Sequence, residues 1–144
     1  MADTSFEDIA SDFEFLDEWE DRYRYVIELG KSLPPMPEDR KVEGTKVNGC
    51  ASQVWIVPEI EGQGRDAILR FSGDSDAMIV KGLIAILLTI FDDKSAKAIL
   101  AERPLEAFER LGLTGHLSAQ RSNGLHAMIK RIRSIATAVE GQTA

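Results

Sequence analysis

Ala77 to Phe91 is about 15 residues of almost unbroken apolar sequence, and it constrains the fold more than any other stretch. A run that apolar has to leave water. It is shorter than the roughly 20 residues needed to cross a bilayer, and Lys81 interrupts it. It therefore predicts a helix buried in a protein core, and no membrane role. Polar clusters bracket it. Asp74 or Ser75 is placed to accept from the first free backbone donors, and Asp76 in the first turn suits the positive end of the helix dipole. Asp92-Asp93-Lys94-Ser95 reads as a linker and cap leading into a short helix over Ser95 to Glu102.

The rest of the chain is organised around that helix. Thr4 and Glu7 have the spacing of a capping box, with Phe6, Ile9 and Phe13 on one face of a first helix. Leu16, Trp19, Tyr23, Val26 and Ile27 predict a second, which Gly30 is placed to end. The proline-rich Leu33 to Pro37 is a crossing loop. Three extended runs follow, over Val42 to Val47, Val54 to Pro58 and Ala67 to Phe71, separated by turn signals at Asn48-Gly49 and Gly62-Gln63-Gly64. Trp55 reads as a sheet residue packing on a helix. Pro104 starts a later helix with Leu105, Phe108 and Leu111 inward and Gly112 as its stop. Leu113 to Gln120 reads as a loop. Ser122 or Asn123 caps a last helix striped by Leu125, Met128, Ile129, Ile132 and Ile135, with residues 140–144 as a frayed tail. The whole is an α+β domain, a small antiparallel three-stranded sheet with helices packed on one face.

With 144 residues and 44% hydrophobic content, one domain is expected. The formal net charge of −7 removes the electrostatic attraction that drives nucleic-acid binding, so no nucleic-acid partner is expected. The charge is uneven: Asp3 to Asp21 carries nine acids and no base, whereas Arg121 to Val139 carries four bases and no acid. Such a dipole can orient a partner; two solvated helix faces account for it equally well. Met1 to Ser5 has neither the basic start nor the apolar run of a signal peptide, which points to the cytoplasm.

Only one cysteine is present, Cys50, so no internal disulfide can form. A lone thiol is commonly a small buried hydrophobe. Here Gly49 before it and the small Ala51 and Ser52 after it, followed by Gln53, place it at a turn where a partner could reach it. A reactive thiolate needs a cation, a base or a helix end, and the candidates are Arg121 and His116. With one cysteine and two histidines, no metal-ligand spacing is found, and Gly62-Gln63-Gly64-Arg65 is not a phosphate loop. A cysteine hydrolase with His116 as base and Asp74 or Asp76 as orienter has no spacing that selects it.

Four segments, taken together, resemble the SufE family of sulfur-acceptor proteins: Ile27 to Pro34, Val47 to Trp55, Gly73 to Leu83, and His116-Leu117-Ser118 with Arg121 to Leu125. The resemblance runs from about Phe13 to Ala136 in the family's order. It implies a fold shared with IscU-type scaffold proteins and a role in iron-sulfur cluster assembly. By that resemblance Cys50 accepts sulfane sulfur from a SufS-type or related Csd cysteine desulfurase, stimulates it, and passes the sulfur to a SufBCD-type scaffold. Any pyridoxal phosphate belongs to the desulfurase, with no cofactor on this chain. Gly49 would serve as hinge, while Arg121, Asp74, Asp76, Lys81, His116, Ser122 and Asn123 would dock the partner or stabilise a thiolate. Ala119 and Gln120 stand where the family commonly has proline and serine. The chain is expected as a monomer or weak homodimer. An independent cysteine-dependent enzyme, and a binding module whose thiol is incidental, remain the alternatives.

Overall fold

The apolar stretch is a helix, Met78–Phe91, and most of its side chains are buried. The computed structural model describes residues 5–50 and 52–142. In those residues the order is α1 (Phe6–Glu14), α2 (Trp19–Lys31), β1 (Val54–Glu61), β2 (Ile68–Ser75), α3 (Met78–Phe91), β3 (Lys94–Ser95), α4 (Ala96–Ala101), α5 (Pro104–Arg110) and α6 (Ala119–Glu140). None of these helices is long and apolar enough to cross a membrane. Leu83, Ile84, Ile86, Leu87 and Phe91 of α3 are almost wholly removed from water, each contributing about 1.5–3 kcal/mol.

The three strands pair antiparallel in the order β1-β2-β3. Their register places Val54 and Ile56 on the same face as Leu69 and Phe71, and all four are buried. On the opposite face the Lys41 ammonium lies over the Trp55 ring, 5.1 Å from the centroid. Gly73 in β2 is where α3 crosses the sheet, since a Cβ there would come 2.5 Å from Ile84.

Several boundaries differ from the sequence reading. Val42 to Val47 is not a strand. The Thr45 and Lys46 amides turn back to Val42 O, Thr45 Oγ1 bonds Arg40 O, and the Arg131 guanidinium of α6 donates to Gly44 O and Lys46 O. That takes up most of the groups a longer ladder would use and leaves two bonds to β1, Val47 amide to Val54 O and Ile56 amide to Thr45 O, around a single bridge between Lys46 and Trp55. The third strand is instead Lys94–Ser95, and Ser95 also caps α4 by accepting from the Ala98 amide.

β2 pairs with β1 as far as Ser75, so Asp74 and Ser75 are strand residues; neither is the N-cap of α3, but Ser75 Oγ accepts from the amide of the N-cap residue Ala77 at 3.2 Å. Asp76 lies before the helix rather than in its first turn. At the chain start the capping box is Ser5 with Asp8; Thr4 lies outside the described residues. Leu105 is exposed because the inward row of α5 is Pro104, Phe108 and Leu111. The last helix begins earlier than expected, at Ala119, capped by Ser118 and not by Ser122 or Asn123. It also runs through Glu140, where a frayed tail was expected; Gly141 and Gln142 close it with backbone bonds to Thr137 and Val139.

Gly30 does not end α2, which continues to Lys31. Its role is a close approach. A Cβ on Gly30 would lie 2.6 Å from the Gly82 amide nitrogen, and one on Gly82 would overlap the Val26 carbonyl oxygen. The two helices touch backbone to backbone, and nothing flexible is available to give way. Gly82→Ala is expected to lower stability by about 3 kcal/mol, at the upper end of overpacking effects, read as a fall in the urea midpoint. A wild-type midpoint in that variant would refute the contact.

Candidate functional site

Cys50 sits between two fixed points. On one side the Val47 amide donates to Val54 O at 2.8 Å, and Arg131 holds the carbonyl of Lys46. On the other, Gln53 and Asp76 hold each other twice. The Gln53 amide donates to Asp76 Oδ1 at 3.0 Å, and the Asp76 amide donates to Gln53 O at 3.2 Å. Asp76 is therefore a clamp on the loop that carries the cysteine. Gly49 has φ +97°, a conformation other residues resist, which turns the chain inward just before Cys50.

The sulfur rests on α6. The Cys50 S–H donates to Gly124 O at an S···O distance of 3.7 Å, so the sulfur lies against the backbone of α6. Cys50 is half-buried, and burial pushes its thiol pKa up from the ordinary value. Burial thus favours the thiol over the thiolate.

Beside the sulfur is a cleft of about 320 Å³. Val80 and Leu83 of α3 and Met128 of α6 form its apolar lining; Ser52, Ser118, Gln120 and Arg121 supply its polar groups. Arg121 stands in the first turn of α6 with its guanidinium 6.0 Å from the Tyr23 ring centroid. A cation near the N-terminal end of a helix favours an anion in the cleft through both charge and dipole.

The other sequence candidates divide. His116 is not in the cleft: its ring is exposed and stacks on Trp19, with centroids 4.1 Å apart, so it is not placed to act as base for Cys50. Ser122 and Asn123 follow Arg121 in α6 without lining the cleft. Ala51 lies outside the described residues. Asp74 and Lys81 form a separate ion cluster with Lys41, which the sequence reading missed. Asp74 is buried and lies 3.2 Å from Lys41 and 3.5 Å from Lys81. Burial alone would raise its pKa, but the Ser75 amide and the two ammonium groups outweigh that and hold it below the ordinary value. The cluster ties the segment before the cysteine loop to β2 and α3. Gly124, Val80, Leu83 and Met128 were also missed as site residues; a glycine inside the helical pattern of residues 119–140 was the one available signal.

Comparison with known proteins bears on the family and the fold. An uncharacterized SufE-like protein of Rhizobium meliloti is 56% identical over 131 residues, covering 91% of this chain and 94% of that one. The sulfur acceptor protein CsdE of Escherichia coli is 40% identical over 126 residues, 88% of this chain and 84% of that one. A solution structure of a hypothetical protein from Thermus thermophilus superposes with a TM-score of 0.72, covering 95% and 96% of the two chains. At 21% identity that likeness speaks for the fold alone. The family described as "SufE: Fe-S metabolism associated domain" matches residues 7–136, and the chain belongs to it.

Proposed function

We propose that the chain is a persulfide carrier: Cys50 takes one sulfane sulfur from a cysteine desulfurase and passes it to an iron-sulfur scaffold. The observation that carries this reading is the seat of the only cysteine, which with Arg121 lines a cleft that has room for another sulfur. The E. coli relative is itself named a sulfur acceptor. The Cys50 thiolate attacks the outer sulfur of the donor persulfide. A new S–S bond forms at Cys50, the donor's S–S bond breaks, and the donor cysteine leaves as thiolate. Sulfur is passed on without an external oxidant. Arg121 offsets the charge of the persulfide anion held in the cleft.

The donor is a SufS-type or Csd-type enzyme, whose pyridoxal phosphate releases sulfur from cysteine; the receiver is a SufBCD-type scaffold. A free thiol chemistry of this kind belongs in a reducing compartment, the cytoplasm. One cysteine suits transport of one sulfur atom and does not suit holding a cluster, which takes several thiolates.

Burial protects the sulfur and also disarms it, so the segment between the Val47 and Gln53 anchors swings outward when the desulfurase docks, with Gly49 as hinge. Incubation with a SufS-type desulfurase and cysteine is expected to add about 32 Da, one sulfur, to the intact protein and nothing to Cys50→Ser. A Cys50→Ser variant that still stimulates the desulfurase fully would favour a thiol-independent binding module. Because the thiolate is the reactive form, alkylation of Cys50 in the free protein is expected to be at least about tenfold slower than in urea, and to speed up when the desulfurase is added. Equal rates with and without the enzyme would remove the gating step. Asp76→Ala, which frees the Gln53 amide, should raise the alkylation rate of the free protein severalfold with little change in its urea midpoint. Asp74 contributes stability above the ordinary aspartate pKa, and that stability is lost as pH falls through its lowered folded value. Acid titration of Asp74→Asn by circular dichroism should accordingly show a smaller loss over that range than the parent.

A further inference from the structure

Away from Cys50, an open groove of about 560 Å³ runs between α5 and the outer face of α6. Leu105, Ile129 and Ala138 give it an apolar floor, and His126, Lys130 and Arg133 give it a basic rim. In a chain of net charge −7 this is an anomaly. Among the described residues none of the three rim groups forms an ion pair; Arg133 is held instead by the carbonyl of Glu102. Leu105 keeps 39% of its surface exposed on the floor.

A second anomaly lies on α1. Phe15, at its C-terminal cap, is 85% exposed, the most exposed of the large apolar side chains. Asp17 and Glu18 follow it, both exposed and without an ion pair among the described residues. An aromatic anchor flanked by acids is the complement of an apolar floor rimmed by bases. Within one chain α1 is engaged elsewhere, through Glu7 to Arg110 and Asp12 to Tyr25.

We propose that the groove docks the C-terminal end of α1 from a second copy of the chain, with Phe15 on the floor and Asp17 and Glu18 against Lys130 and Arg133. Each copy carries both halves of the contact, so a two-fold pair makes it twice. Cys50 lies outside both patches and is not needed for the pairing.

Sedimentation of the full chain over a concentration series is expected to show a reversible dimer. It should weaken at least tenfold when salt is raised to about 1 M, where charges are screened beyond about 3 Å. Phe15→Ser should weaken it by a similar factor, and Cys50→Ser not at all. Asp17→Lys/Glu18→Lys and Lys130→Glu/Arg133→Glu should each be monomeric alone yet form a dimer when mixed, because mixing restores opposite charges at both contacts. Circular dichroism and urea midpoints establish that each variant is folded. A chain that is monomeric at every concentration overturns the proposal and assigns the groove to an acidic segment of another protein. A dimer indifferent to these substitutions, or reversed variants that do not pair on mixing, overturns it equally.

Discussion

The backbone contact between α2 and α3 sets the spacing of the rest of the molecule. Glycine at positions 30 and 82 lets the helices meet without side chains between them. The neighbours of Gly82 are then committed: Val80 and Leu83 become part of the lining of the cleft beside Cys50. Packing and site are joined in one helix.

Protection and reactivity oppose each other at Cys50. Seating the sulfur over Gly124 hides it from small thiols and oxidants, and the same desolvation disfavours the thiolate that must attack. A site with its base already in place would escape that conflict, but His116, the candidate base, is stacked on Trp19 instead. In the proposed carrier, activation would come from a change of surroundings, and a loop held at both ends would confine that change to a few residues.

The sequence was most legible where a pattern is local and long. The apolar run of α3 and the stripe of α6 needed only local pattern, and the extended run over Ala67 to Phe71 lies largely within β2. A thiolate's need for a cation or base brought Arg121 and His116 forward beside Cys50, and of the two the fold places Arg121 on the same cleft. What could not be read depends on distant partners. Val42 to Val47 looks extended because its composition suits a strand; Arg131, far along the chain, takes its carbonyls. Lys94–Ser95 is too short to show alternation. Gly30 carries the local signature of a helix stop, and only its partner at Gly82 reveals a close crossing. Asp76 resembles a helix-cap acid until Gln53 is seen opposite it.

The two anchors of the cysteine loop, at Val47 and Gln53, carry a geometric consequence. Six peptide steps of about 3.8 Å separate them, so even a taut arch between fixed ends lifts its midpoint by only about 10 Å. The carrier's arm is short. A donor sulfur recessed farther than that inside its enzyme would be beyond reach unless the enzyme extends its own cysteine to meet it, which makes delivery a handshake between two moving segments rather than a visit by one.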